Sequence, residues 1–168
     1  GDEPTTSSNF LIPSVEWSLI ESSSLPANRN IIDDGYRISI MLQGAHENVL
    51  ADTNFASVKL SAKWVHRLSD EWRVLMRSEV GALQTDDFDA LGSTLRFFAG
   101  GDHSVRGYAY QQLGPTNDEG VVVGGRFMTA NSIEVDYAFK SNWRVALFTD
   151  IGNSMMDWND RLKQSGGF

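Results

Sequence analysis

The sequence predicts an all-β fold: an antiparallel β-barrel of the transmembrane kind, present in part as about six strands and one long glycine-rich loop. Three observations predict it. Apolar and polar residues alternate with a period of two, and no 3.6-residue pattern is sustained anywhere. The alternating segments run to roughly 9–13 residues, the length a tilted membrane strand needs, against ~5–6 in most soluble sheets. The connections between them differ sharply in length, tight at 69–70 and 141–142 and long at 21–34, 47–54 and 85–120. Short turns on one side and long loops on the other is the asymmetry of outer-membrane barrels.

The first strand is expected over 12–20, where Val15, Trp17 and Leu19 share one face and Glu16 and Ser18 the other. The polar stretch 21–34 follows, with Pro26 and Asp33-Asp34-Gly35 supplying turn chemistry. Over 36–46, Tyr36, Ile38, Ile40 and Leu42 oppose Arg37, Ser39, Met41 and Gln43. The clearest strand is 56–68, with Ala56, Val58, Leu60, Ala62 and Trp64 against Ser57, Lys59, Ser61 and Lys63. Beyond the Ser69-Asp70 turn, Trp72, Val74, Met76 and Val80 oppose Arg73, Arg77 and Glu79. Ile133, Val135, Tyr137 and Phe139 then oppose Glu134, Asp136 and Lys140. Across the Ser141-Asn142 turn, Trp143, Val145, Leu147 and Ile151 oppose Arg144 and Asp150. A soluble antiparallel barrel or sandwich, acting as a binding module, would use the same alternation, and pattern alone leaves it open.

Composition narrows the function classes. The 168 residues carry a formal net charge of −8, which argues against nucleic acid, since phosphate binding calls for clustered Lys and Arg. There is no cysteine, so neither a disulfide framework nor thiolate chemistry is available. No run approaches the ~18 apolar residues of a membrane-spanning helix. A mean hydropathy of −0.27 is still compatible with a membrane barrel, whose strands are apolar only at alternate positions. The beginning lacks a basic start and an apolar stretch, and the end stops just as a new segment opens at 166–168, so the chain reads as a fragment of a longer protein.

The stretch 96–110, R-F-F-A-G-G-D-H-S-V-R-G-Y-A-Y, is the one the strands are built around. Loops this long in compact folds are functional or disordered, and the aromatics here, including a buried-looking Phe97-Phe98 pair, argue against disorder. Asp102, His103 and Ser104 are triad residue types, but consecutive side chains point apart and cannot form a relay. His46 and His66 stand alone, without a second ligand at metal spacing. The acidic run 85–89 lacks the ordered spacing of a calcium loop and reads as a solvated loop tip. Gly100-Gly101 has no following Lys or helix to hold phosphate. The sequence therefore predicts no enzyme, no catalytic residue, no metal and no cofactor. The set that stands out is Arg106 with Glu134 and Asp150, the two acids occupying polar positions of consecutive strands and so facing one interior. An arginine on a loop could pin that loop to the wall by charge-assisted bonds, and three separately solvated charges are the bland alternative.

At this point the residues match a known family. F-F-A-G-G-D-H-S-V-R-G-Y, which holds Gly100, Gly101, Val105, Arg106, Gly107 and Tyr108, resembles the sixth-loop motif of the bacterial surface-antigen superfamily of outer-membrane assembly barrels. S-I-E-V-D-Y (132–137) resembles the strand after that loop, and F-T-D-I-G-N (148–153), with Phe148, Asp150 and Gly152, resembles the F-x-D-x-G strand that follows. The wider match, from I-P-S-V-E-W-S (12–18) through 88–102, looks most like the family's TamA branch. The resemblance implies that residues 1–168 belong to a C-terminal barrel of about sixteen strands, with 85–120 folding into the lumen and POTRA domains lying outside this chain. It implies that Arg106 contacts Glu134 and Asp150. It also implies a Gram-negative outer membrane, lipid around the barrel, autotransporter or β-barrel clients and an inner-membrane-anchored TamB-like partner. Within the same family, a two-partner-secretion transporter or passive pore is the alternative.

Overall fold

The computed structural model describes residues 13–22, 34–46, 53–101, 104–140 and 143–158. Six strands, β1 (Ser14–Ser22), β2 (Gly35–Ala45), β3 (Phe55–Arg67), β4 (Trp72–Thr85), β5 (Phe127–Lys140) and β6 (Trp143–Met155), form one antiparallel sheet in chain order. Among the described residues β1 and β6 are edges, and the only helical element is a 3-10 turn, Ser93–Leu95. No second sheet packs on this one, so the sandwich alternative does not hold for the described residues.

The register explains the alternation. Trp17 lies opposite Ile40, Ile40 opposite Leu60, and Leu60 opposite Val80, one apolar row on one face. Large apolar side chains on this outer face stay exposed, with Leu147 at 80% and Val15 at 66%. Among the described residues nothing covers this face, and a face this apolar suits the lipid-facing wall of a barrel. Aromatics gather at the end that carries the tight turns: Tyr36 opposite Trp64, Trp72 opposite Tyr137 with rings 4.7 Å apart, and Phe139 beside Trp143. Amphipathic rings at that level suit a membrane–water interface.

Two expectations about the connections are corrected. Because each strand reverses direction, 23–34 joins β1 to β2 at the same end as the 68–71 turn, whereas 46–54 and 86–126 lie at the opposite end. The long connections therefore do not share one side. The 68–71 turn is closed by Leu68 and Ser69 amides donating to the Trp72 carbonyl at 2.9 and 3.2 Å; the 141–142 turn lies outside the described residues.

The second correction concerns 85–89, which is the root of the long loop rather than a solvated tip. Phe88 packs with Phe55, Leu83 and the fully buried Leu91 in a small core on the inner side of the sheet, where Leu95 and Phe97 join it. Asp86, Asp87 and Asp89 are exposed, and Asp87 accepts the Asp89 and Ala90 amides at 3.0 and 3.1 Å, so the acids shape a turn over the buried Phe88. The Phe97-Phe98 pair is half-buried rather than buried.

β5 also begins at Phe127, earlier than the alternation places it. Over 127–132 the pattern inverts: Met128 and Ala130 face inward and are buried beneath the loop, while Thr129 and Asn131 face outward. Where the loop covers the inner face that face is apolar, and where it does not the face is largely polar.

Candidate functional site

The loop 86–126 returns on itself as a narrow ribbon, with bridges Phe97 to Gly125, Ala99 to Leu113 and Thr116 to Val122. Its root is seated on small residues. A Cβ added to Gly81 on β4 would lie 2.6 Å from the Phe97 ring, so glycine there makes the platform for that aromatic. Arg96 fixes the same region, donating to the carbonyls of Leu91, Asp89 and Val123 at 2.9, 3.1 and 3.1 Å with its guanidinium 4.5 Å from the Phe88 ring. Arg126 approaches that ring at 5.3 Å and donates to the Thr85 carbonyl at 3.1 Å.

Further along, the chain bends at Gly100 and Gly101 and delivers Val105 and Arg106 to the inner face of β5 and β6. Val105 is buried above Gly152, where a Cβ would sit 2.8 Å from its Cγ2 and 2.6 Å from the Thr129 carbonyl. Gly152 thus opens the space into which the loop locks. Gly107 has nothing within 4 Å of an added Cβ but a φ of +93°, so the backbone turn after Arg106, not space, calls for glycine. Tyr108 is 45% exposed, and its carbonyl accepts the Gly101 amide at 3.0 Å.

Arg106 is held from several directions. Its Nε and Nη2 donate to the two oxygens of Asp150 at 2.8 Å each, a bidentate fork, and its backbone amide donates to Asp150 Oδ2 at 2.8 Å. Nη1 donates to Glu134 Oε2 at 2.5 Å, and Nη2 also reaches the Ser132 hydroxyl at 2.8 Å. The guanidinium lies over the Phe148 ring, 3.5 Å from its centroid. The register creates this cage, since Ser132 is opposite Asp150 and Glu134 opposite Phe148. The Asp150 side chain is only 2% exposed, so its charge depends on the three donors Arg106 supplies. Hydrogen bonding to Asp150, opposed by burial and reinforced by Glu134, raises the Arg106 pKa above the ordinary arginine range, keeping it a cation at any accessible pH.

The three residues nominated from the sequence, Arg106, Glu134 and Asp150, therefore lie in one contact set, with Val105, Phe148 and Gly152 forming its walls. Gly100, Gly101, Gly107 and Tyr108 shape the approach of the loop without touching the guanidinium cage. A sequence profile described as the Omp85 superfamily domain matches residues 17–168, most of the chain. The chain belongs to the Omp85 superfamily. It is also 28% identical over 124 residues to the outer membrane protein assembly factor BamA of Nitratidesulfovibrio vulgaris, covering 69% of this chain and 16% of that protein. The chain thus spans about a sixth of the length of that relative.

This Omp85 domain carries a second ionic cluster that the motifs did not single out as a site. Asp136, 3% exposed, accepts from Arg73 Nε at 2.8 Å and from Arg144, joining β4, β5 and β6 toward the tight-turn end. Its signal was legible: Asp136 shares a face with Glu134 two residues earlier, and Arg73 lies opposite it in register. Asp102 and His103 lie outside the described residues; the Ser104 hydroxyl accepts the Gly100 amide at 3.4 Å. His66 stacks on Trp64 and sits 3.6 Å from Asp34, and no cluster of metal-ligating side chains occurs among the described residues.

Proposed function

We propose that this chain is part of the C-terminal barrel domain of an outer-membrane protein-assembly factor, and that 85–120 is a lumen loop latched to the barrel wall through Arg106. The observation that carries the reading is the cage itself: one loop arginine satisfied by Asp150, Glu134, Ser132 and the Phe148 face on adjacent strands. Such a latch sets the position of a long loop inside a barrel that works without a nucleotide, a metal or covalent chemistry. Assembly factors of this kind offer unpaired backbone groups at an open barrel edge to a client strand, and a docked loop would help hold that edge in a competent shape. The outer-membrane location and the protein clients are supported by superfamily membership and by the name of the BamA relative.

At finer grain we place the chain in the TamA-like branch, with autotransporter-type clients, POTRA domains elsewhere in the full-length protein and a TamB-like inner-membrane partner acting through them. The match of I-P-S-V-E-W-S and of 88–102 supports that placement. The test is Arg106→Ala in the full-length protein, read by the rate at which radiolabelled β-barrel and autotransporter clients reach their protease-resistant folded form. Slower assembly of folded clients is expected. Normal assembly with the loop demonstrably undocked would refute the latch as a functional part, and an effect on β-barrel clients alone would remove the TamA-like placement.

A further inference from the structure

Two guanidinium groups converge on one hydroxyl at the latch. Arg77 on β4, Ser132 on β5 and Asp150 on β6 form one inward register row. Ser132, 7% exposed, accepts a 2.8 Å bond from Arg106 Nη2 and a longer one, 3.4 Å, from Arg77 Nη2. That long bond is the one hydrogen bond of the Arg77 side chain among the described residues, and its Nε is buried without a partner. A buried donor left unpaired costs free energy, so Arg77 is poorly satisfied while the loop is docked. Its neighbours explain why. Lys63 lies opposite it on β3, a like charge with Cβ atoms ~4.5–5.5 Å apart. The carboxylates around it are engaged: Glu79 by Lys59 at 3.0 Å, Asp136 by Arg73 and Arg144, Glu134 and Asp150 by Arg106.

Release of Arg106 changes that balance. Glu134 sits two residues along β5 from Ser132 and so lies diagonal to Arg77, ~7–8 Å away, within reach of two long side chains. Arg73 is the other diagonal neighbour of Glu134, and it is committed to Asp136 at 2.8 Å. Asp150 lies one strand further from Arg77, across Ser132. We propose that Arg77 is a stand-in for Arg106: when the loop tip leaves, its guanidinium moves from the Ser132 hydroxyl to the Glu134 carboxylate, and it yields that acid when Arg106 returns. The undocked loop is then a second held state of the wall. Glu134 exchanges one cation for another, which lowers the cost of opening. Asp150, with its side chain 2% exposed, keeps no substitute and draws Arg106 back, so opening is reversible. This inference rests on the latch reading of the loop and adds how the latch is regulated.

The experiment uses the full-length protein in detergent micelles with a single reactive cysteine, Tyr108→Cys, and a soluble maleimide. The labelling rate then reports how often the tip is undocked. Arg106→Ala is expected to speed labelling; if it does not, the latch itself fails and the stand-in falls with it. With the latch standing, Arg77→Gln is expected to slow labelling about threefold, the effect of taking a part-exposed ion pair from the open state. Relief of repulsion on Arg106 also slows labelling, so the same change is made in Glu134→Gln. There Arg77 has no carboxylate to capture, and its removal is expected to leave the rate unchanged. An equal slowing in both backgrounds, or no slowing in either, overturns the stand-in and leaves the latch intact. The unfolding midpoint gives a second readout. Arg77→Gln is expected to lower it in Arg106→Ala, where Glu134 then has no cation, and to leave it equal or higher in the docked protein. A drop of the same size in both overturns the proposal. Should Arg77→Gln fail to fold, Arg77→Lys takes its place: it keeps the charge and loses the fork, so a smaller slowing is expected, again absent in Glu134→Gln.

Discussion

The root and the tip of the long loop are held to the same wall by opposite means. The root is apolar, with Phe88 and Leu91 packed on Phe55 and Leu83 and the Phe97 ring laid on Gly81. The tip is ionic, with one guanidinium divided between two carboxylates, a hydroxyl and an aromatic face. Burial of apolar surface is non-directional and insensitive to small shifts, so the root fixes that the loop turns inward. A bidentate pair with a nearly buried carboxylate is directional and fails if one partner leaves, so the tip fixes where the loop stops. A segment anchored this way can be released at its tip without unravelling at its root.

The comparison can be broken from either side. The largest effect is expected from Arg106→Ala, which strands the Asp150 carboxylate at 2% exposure; breaking such a pair costs about 3–5 kcal/mol of loop docking. Adding Asp150→Ala to that variant should restore part of the loss, because the orphaned charge is then gone. Reactivity of a cysteine placed at Tyr108 toward a soluble thiol reagent reads both, and strict additivity would show that the two residues do not act as a pair. Next in size is Leu91→Ala at the root, about 3 kcal/mol from lost transfer and cavity formation, read as a lower unfolding midpoint of the full-length barrel with the tip contacts kept. Gly107→Ala forces a side chain to a φ of +93° and should weaken docking by about 1–2 kcal/mol, with no clash to complicate it. The smallest change is Phe148→Leu, which removes the aromatic face beneath Arg106 and should raise thiol reactivity at position 108 by a few-fold, consistent with about 0.5–1 kcal/mol for a part-exposed cation–π contact.

How much of this was legible in the sequence depends on what covers each face. The strands from Tyr36 to Trp64 and from Trp72 to Val80 read directly, because one face is largely apolar and the other largely polar along them, which gives a clean period of two. The start of β5 did not, since the loop covers the inner face at Met128 and Ala130 and inverts the pattern there. For the same reason Phe88 looked like part of an acidic loop tip: three charged neighbours masked one residue whose ring is claimed by a core distant in sequence. The acids Glu134 and Asp150 could be placed on one face by counting alternate positions, but their distance from Arg106 depends on a loop path that no local pattern specifies. Gly152 is understood only once Val105 is seen above it. Asp136 was visible as an inward acid, and its bonds to Arg73 and Arg144 follow from register, which alternation alone does not fix.

The most direct test of the central claim, that the tip is held by Arg106 while the root holds itself, is a distance distribution between spin labels at Tyr110 and Leu147 in the full-length protein in lipid. Both positions are 80% exposed, so the labels themselves disturb little packing. The account predicts one narrow distribution in the wild type and a broad, longer one in Arg106→Ala, with the barrel still folded. A distribution that stays narrow and unshifted in Arg106→Ala would contradict it.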